Sequence, residues 1–189
     1  GTNIMNVSPI SIEEQKSFDG VEFPLVLAPE DEATASADRL ARWIEDNADA
    51  LRAQMITHGA ILFRGFGLGS PDDFEAMLDA ARFENMPYIG GAAPRTQVTQ
   101  SRILTANESP PSEPIPFHHE MAQVPNPPAY VFFYCDIAAE TGGETPIVHP
   151  GRVYERFVQA NPDFARKVED LGVKYVRVMP DEDDRTSPI

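Results

Sequence analysis

Apolar residues recur along the chain in two rhythms, and each predicts its own kind of element. From Ser36 onward, Leu40, Trp43, Ile44, Leu51 and Met55 follow one another at helical steps with charges between them. That spacing predicts one amphipathic helix from Ser36 to about Thr57, stopped by Gly59. Ser70-Pro71-Asp72-Asp73 then offers an N-cap, a first-turn proline and two acids suited to the helix dipole, with Phe74, Met77, Leu78 and Ala81 on one face. A second helix is predicted over about 71–83. Asn161-Pro162 opens another that runs through Leu171, with Phe164, Val168 and Leu171 on one side and Gly172 at its end.

The second rhythm is the short apolar run bounded by turn residues, which predicts strands. Up to Pro29, the residues Phe18, Val21, Phe23, Leu25, Val26 and Leu27 read as short packing strands separated by Gly20 and Pro24. Ala60 to Phe63 reads as a buried strand that turns out through Arg64-Gly65-Phe66, and Val98 to Leu104 as another. Val131 to Asp136 reads as a buried strand leading to the Gly142-Gly143 turn and a further strand start, while Val173, Tyr175 and Val176 begin one more. Asp181 to Asp184 reads as a solvated acidic loop.

Charge narrows the function classes. The chain of 189 residues carries 30 acidic against 15 basic side chains, a net charge of −15, and no basic stripe. Nucleic acid and anionic membrane both require clustered Lys and Arg, so neither is expected as a partner. A single cysteine, Cys135, leaves no intramolecular disulfide and fits a reducing compartment. Neither a signal-peptide pattern nor an apolar run of about 18 residues is present, so a soluble, cytoplasmic protein is expected. Gly90-Gly91 lacks the spacing of a phosphate-binding loop, and no helix pattern follows it.

Candidate chemistry gathers at Pro116-Phe117-His118-His119-Glu120-Met121-Ala122. Prolines at 110, 111, 114, 116, 125, 127 and 128 disfavour a helix there, so the segment is predicted to be a short strand emerging from a loop. Alternation on a strand puts His118 and Glu120 on one face and His119 on the other. An imidazole and a carboxylate two apart can fill two neighbouring positions around one metal. A third His from elsewhere would complete a two-His-one-carboxylate set with open sites. The zinc-protease motif H-E-x-x-H does not apply, because Gln123 stands where its second His would be and Pro125 would break its helix. Packed strand histidines beside a hydrogen-bonded glutamate would be written with the same letters.

Four blocks taken together are more specific. His58 to Phe66, His118-His119-Glu120-Met121, Val131 to Asp136 and Gly142-Gly143-Glu144-Thr145-Pro146-Ile147 stand in an order that resembles the TauD/TfdA-like family of Fe(II)/2-oxoglutarate oxygenases, which includes taurine dioxygenase and clavaminate synthase. The resemblance is nearest to the branch of syringomycin-type aspartyl hydroxylases.

That resemblance implies an α+β, mainly β fold: a double-stranded β-helix (jelly roll) with flanking helices, of which residues 1–189 would form the N-terminal half of one domain. It implies a dioxygenase that uses Fe(II), 2-oxoglutarate and O2 to hydroxylate an amino acid or amino-acid-like substrate, free or bound to a carrier protein, in secondary metabolism such as antibiotic biosynthesis. His118 and Glu120 would be metal ligands, and Thr145 would hydrogen-bond the 2-oxoglutarate carboxylate. The distal His and the Arg that pairs with the far carboxylate would lie beyond Ile189. His149 stands too close to Glu120 for the distal ligand, and neither Arg152 nor Arg156 is assigned the arginine's role. Asn107 and Glu108 are candidates for substrate contact from the pocket rim, and His58 is expected to be structural. Two other classes remain open: a non-catalytic cupin-like binding or assembly subunit, and a zinc or manganese hydrolase or isomerase on a similar barrel.

Overall fold

The computed structural model describes residues 4–89, 91, 93–106, 108, 110, 112 and 114–176. The chain divides into two compact units, the first ending at Gly151 and the second starting at Arg152.

The first unit is built around strand β4, Leu25–Pro29, flanked by β1, Val7–Ile10, antiparallel, and β5, Ile61–Phe63, parallel. A central strand covered on both faces needs an unbroken apolar run, and four of the five β4 residues are buried. Beside it β2, Lys16–Phe18, and β3, Val21–Phe23, form a hairpin closed by Asp19 and Gly20, whose φ angles are 53° and 80°. A two-residue hairpin turn requires positive φ at both positions, and Asp-Gly is among the pairs that tolerate it best.

Helices α1, Ala37–Asp46, α2, Ala48–His58, and α3, Pro71–Ala80, complete this unit. The helix expected from Ser36 to Thr57 is two helices. Asn47 adopts φ −111° and ψ 16°, and its side-chain amide donates to the Trp43 carbonyl at 2.8 Å, so it competes with the backbone ladder at the point where α1 would continue. Ser70 caps α3 as expected, Ser36 caps α1, and Gly59 ends α2 in the left-handed region at φ 76°. Helix α3 stops at Ala80, earlier than predicted, because Arg82 turns to φ 61°. The core joins Leu40, Ala41 and Ile44 of α1 to Phe74, Met77 and Leu78 of α3, with Met5 and Phe66.

Among the described residues the strands predicted over 98–104, over 131–136, after Gly142-Gly143 and from Val173 do not form. Gln97 and Leu104 make one isolated bridge around a loop, and 131–136 and 173–176 have no ladder. A strand is stable only when a neighbour takes its amides and carbonyls. Segment 130–134 nevertheless keeps the period of two: the Tyr130 and Phe132 rings pack on Phe83, and Tyr134 stacks on Phe74 at 5.3 Å. The run is exposed rather than buried on both faces, Tyr130 and Phe132 by 39 %, Val131 by 43 % and Phe133 by 61 %, and within 130–134 only Tyr134 is half-buried. Cys135 is exposed too.

The second unit holds most of α4, Pro150–Ala160, together with α5, Pro162–Leu171. Phe157 and Phe164 meet edge to face, and the Tyr154 hydroxyl donates to Glu169, which raises the phenol pKa. Helix α5 is the predicted one; α4 was not anticipated. The class is α+β as expected, but the described residues are mainly helical and not mainly β. Among the described residues the five strands lie in an open three-stranded sheet and a hairpin, and no closed jelly roll is formed. No described helix is long and apolar enough to cross a membrane. The acidic stretch 181–184 lies outside the described residues.

Candidate metal centre

His118 and Glu120 do not sit on a strand. The proline-dense backbone from 114 to 119 has no ladder partner, and the chain turns at Glu120 to Met121, where φ is 53° and Val124 N–H donates to the Met121 carbonyl at 3.1 Å. Proline removes the donors a ladder would need. Met121 is buried, so the turn is anchored immediately after the glutamate.

The juxtaposition expected from alternation is achieved by this turn. His118 Nε2 lies 4.0 Å from Glu120 Oε2, and His118 Nδ1 lies 2.8 Å from the Pro116 carbonyl. A carbonyl only accepts, so in the neutral ring Nδ1 carries the hydrogen and Nε2 presents its lone pair toward the carboxylate. Metal-binding histidines are ordinarily oriented by such a bond. Two donors each about 2.1 Å from one cation in neighbouring octahedral positions lie about 3.0 Å apart, so this pair would have to close by about 1 Å to share a cation. The His118 side chain is 58 % exposed and that of Glu120 is 22 % exposed, which leaves the pair approachable. In donor type the two residues fit two protein positions of an iron site. Among the described residues no group of three or more His, Cys, Asp or Glu is placed to hold a metal.

His149 accordingly lies elsewhere, with its ring 5.2 Å from that of Phe23 and 5.9 Å from that of Phe18. His58 is structural as expected: its Nδ1 is 2.7 Å from the Glu22 carbonyl at the end of α2. His119 is exposed. Thr145 is exposed as well, two residues after Gly143, and Gly142 and Gly143 have φ angles of 68° and 78° that explain the diglycine. Asn107 lies outside the described residues. Glu108 accepts from the Thr105 hydroxyl at 2.6 Å, and that bond, followed by one from Thr96, holds its carboxyl below the ordinary range.

The sequence reading missed Arg95. Its Nη2 lies 3.3 Å from both oxygens of Glu120, its Nη1 donates to the carbonyls of Thr105 and Ala106, and its guanidinium carbon sits 4.7 Å from the centre of the Tyr88 ring. The signal was distributional. Between Ile103 and Gly151 there is no Lys or Arg, so a charged partner for Glu120 had to come from another stretch.

The loop that carries these carbonyls is tied to α3. Glu75 accepts from the Ser101 hydroxyl at 2.7 Å, from the Arg102 amide at 3.2 Å and from the buried Thr99 hydroxyl. Arg102 in turn bridges Asp79 and the Phe83 carbonyl, each at 2.7 Å.

The profile of the taurine catabolism dioxygenase TauD, TfdA family matches residues 23–187. A clavaminate synthase-like protein of Arabidopsis thaliana is 44% identical over 182 residues, which cover 94% of this chain and 55% of the relative. The dapdiamide synthesis protein DdaC of Enterobacter agglomerans is 29% identical over 119 residues, 63% of this chain and 35% of the relative. The chain therefore spans about half, or less, of the length of these curated relatives.

Proposed function

The chain belongs to the TauD, TfdA family, and from that premise we propose that it is part of a non-haem Fe(II)/2-oxoglutarate-dependent dioxygenase that hydroxylates an amino acid or amino-acid-like substrate, free or carrier-bound, in secondary metabolism. The observation that carries this reading is the His118 Nε2 to Glu120 Oε2 approach of 4.0 Å, with the ring fixed from behind by Pro116. The names of the two relatives, one clavaminate synthase-like and one a dapdiamide synthesis protein, support a biosynthetic substrate.

Bound iron, with 2-oxoglutarate and O2, supplies the oxidation of an unactivated C–H bond and the release of succinate and CO2. The chain's own residues supply position. His118 offers Nε2 as a neutral donor because Nδ1–H is committed to a carbonyl, and Glu120 offers a carboxylate already oriented by Arg95. Thr145 would donate its hydroxyl to the 2-oxoglutarate carboxylate. Residues 1–189 would be the N-terminal part of one jelly-roll domain, with the distal His and the 2-oxoglutarate-binding Arg supplied from beyond them. On this reading the exposed apolar residues around Val131 and Phe133 would gain strand neighbours in the whole domain.

Succinate release by the whole protein, measured anaerobically and in air over a panel of amino acids and carrier-bound amino acids, tests the proposal. Substrate-stimulated succinate formation that requires both Fe(II) and O2 is expected. Turnover supported equally by Zn(II) or Mn(II) without O2 would replace it with a hydrolase or isomerase.

A further inference from the structure

From Cys135 to Val148 every residue is exposed, so no side chain of that stretch is held by burial. The place of Thr145 within it is set where the chain returns to the body of the first unit. Upstream the return is Tyr134, whose ring stacks on Phe74 and whose hydroxyl donates to the Leu68 carbonyl at 3.2 Å. It stands eleven residues before Thr145, with Gly142 and Gly143 between them. Downstream the return is His149, four residues on and half-buried. Its ring lies 5.9 Å from that of Phe18 and 5.2 Å from that of Phe23, at the ends of β2 and β3.

Two glycines make room for the imidazole. A Cβ at Gly59 would stand 3.3 Å from its Cδ2 and Nε2, and one at Gly151 would stand 3.2 Å from its Cε1. The left-handed φ of Gly59 already calls for glycine, but Gly151 lies in the first turn of α4 and has no such φ. What a side chain at Gly151 would meet is the His149 ring. Between that ring and the Thr145 hydroxyl the chain is stiff. Thr145 and His149 each precede a proline and are steered away from helical backbone, Pro146 has a fixed φ, and Ile147 and Val148 are β-branched. A shift of the ring is therefore carried to Thr145 instead of being absorbed on the way.

Resting on the reading of Thr145 as the hydroxyl that meets 2-oxoglutarate, we propose that His149 is a positioning residue: seated between Phe18 and Phe23 and against Gly59 and Gly151, it fixes the place of Thr145. The diglycine on the other side of Thr145 lets the chain turn, and the histidine decides where the turn delivers the hydroxyl.

The test uses the whole protein loaded with Co(II), without O2, and titrates 2-oxoglutarate by calorimetry into wild type, His149→Ala, Thr145→Val, the double variant and Gly151→Ala. His149→Ala is expected to weaken 2-oxoglutarate binding about ten-fold, the lower end of the loss for one hydrogen bond to a charged group, and to leave Co(II) affinity as it was. Because His149 acts through Thr145, the double variant should bind no more weakly than Thr145→Val alone. Gly151→Ala should weaken binding in the same direction while its melting temperature stays or rises, since alanine suits a helix better than glycine. A merely structural histidine would give losses that add in the double variant, or a lower melting temperature with 2-oxoglutarate affinity unchanged, and either result overturns the proposal. Parallel loss of Co(II) and 2-oxoglutarate affinity in His149→Ala overturns it too. If His149→Ala does not fold, Gly151→Ala decides, and unchanged binding in that variant sinks the idea. Unchanged binding in Thr145→Val would show instead that the reading of Thr145 is wrong, and the role of His149 would fall with it.

Discussion

A hydrogen bond of 2.8 Å between His118 Nδ1 and the Pro116 carbonyl decides which nitrogen of that ring has a lone pair to give. His119, its neighbour, is exposed and has no part in the pair with Glu120. His118→Ala is therefore expected to abolish iron binding and substrate-dependent turnover in the whole protein, whereas His119→Ala should leave most of both. Equal losses in metal titration and turnover would contradict the assignment. On the proposed reading Thr145 acts on the cosubstrate instead of the metal. Thr145→Val keeps the shape and deletes the hydroxyl, which costs about 1.5–3 kcal/mol for a bond to a charged group and should raise the KM for 2-oxoglutarate about ten- to a hundred-fold. Iron affinity should stay as it was, and an unchanged KM would make Thr145 a turn residue. At this scale the sequence made the pair legible through two-residue spacing, although the backbone that realises it is a turn. Arg95 was not legible, because its partner lies 25 residues away and no local pattern encodes a contact of that range.

Among the elements, those with signals inside a single helical turn were readable. Ser70-Pro71-Asp72-Asp73 marks the start of α3 through the Ser70 cap, whereas Asn161 makes no side-chain cap bond and the start of α5 is marked by Pro162 in its first turn. The break at Asn47 was overlooked, since the apolar steps on either side fit one long helix and the amide that interrupts them acts on the backbone instead of on the pattern. Strands were the weaker inference. Whether 98–104 or 131–136 becomes a strand depends on a partner that the segment itself does not name. The 98–104 loop is instead held by side chains, above all by Glu75, which gathers two hydroxyls and an amide. Glu75→Ala leaves the buried Thr99 hydroxyl without its acceptor and should destabilise the protein by about 1–3 kcal/mol in denaturant titrations. Ser101→Ala, which removes one exposed donor, should cost much less, and the reverse order would show that the loop is held by something other than Glu75.

For the whole molecule, the four sequence blocks in order carried the family and the α+β class, while the count of strands and the openness of the sheets could not be read from composition or period. The proposed ligand role of Glu120 also bears on the reaction proposed for the whole protein. Enzymes of this broad group that halogenate resemble the rest but have Gly or Ala in place of the carboxylate, and on the proposed ligand assignment Glu120 would fill that position here. A carboxylate already bound occupies the site and repels a second anion. In chloride buffer the whole protein should give an oxygenated product with no chlorinated species by mass spectrometry, and a chlorinated product from wild type would overturn both the ligand role of Glu120 and the hydroxylation.

Helix α2 contains no buried residue, and it lies between the Asn47 break and the left-handed Gly59. A segment with so little apolar surface to lose on opening, hinged at both ends, is the natural place for the native state to breathe. Its amides should exchange with deuterium through small local openings long before those of α1 and α3, whose facing residues make the core. A protease added in trace amounts should cut within α2 before it cuts within α1 or α3.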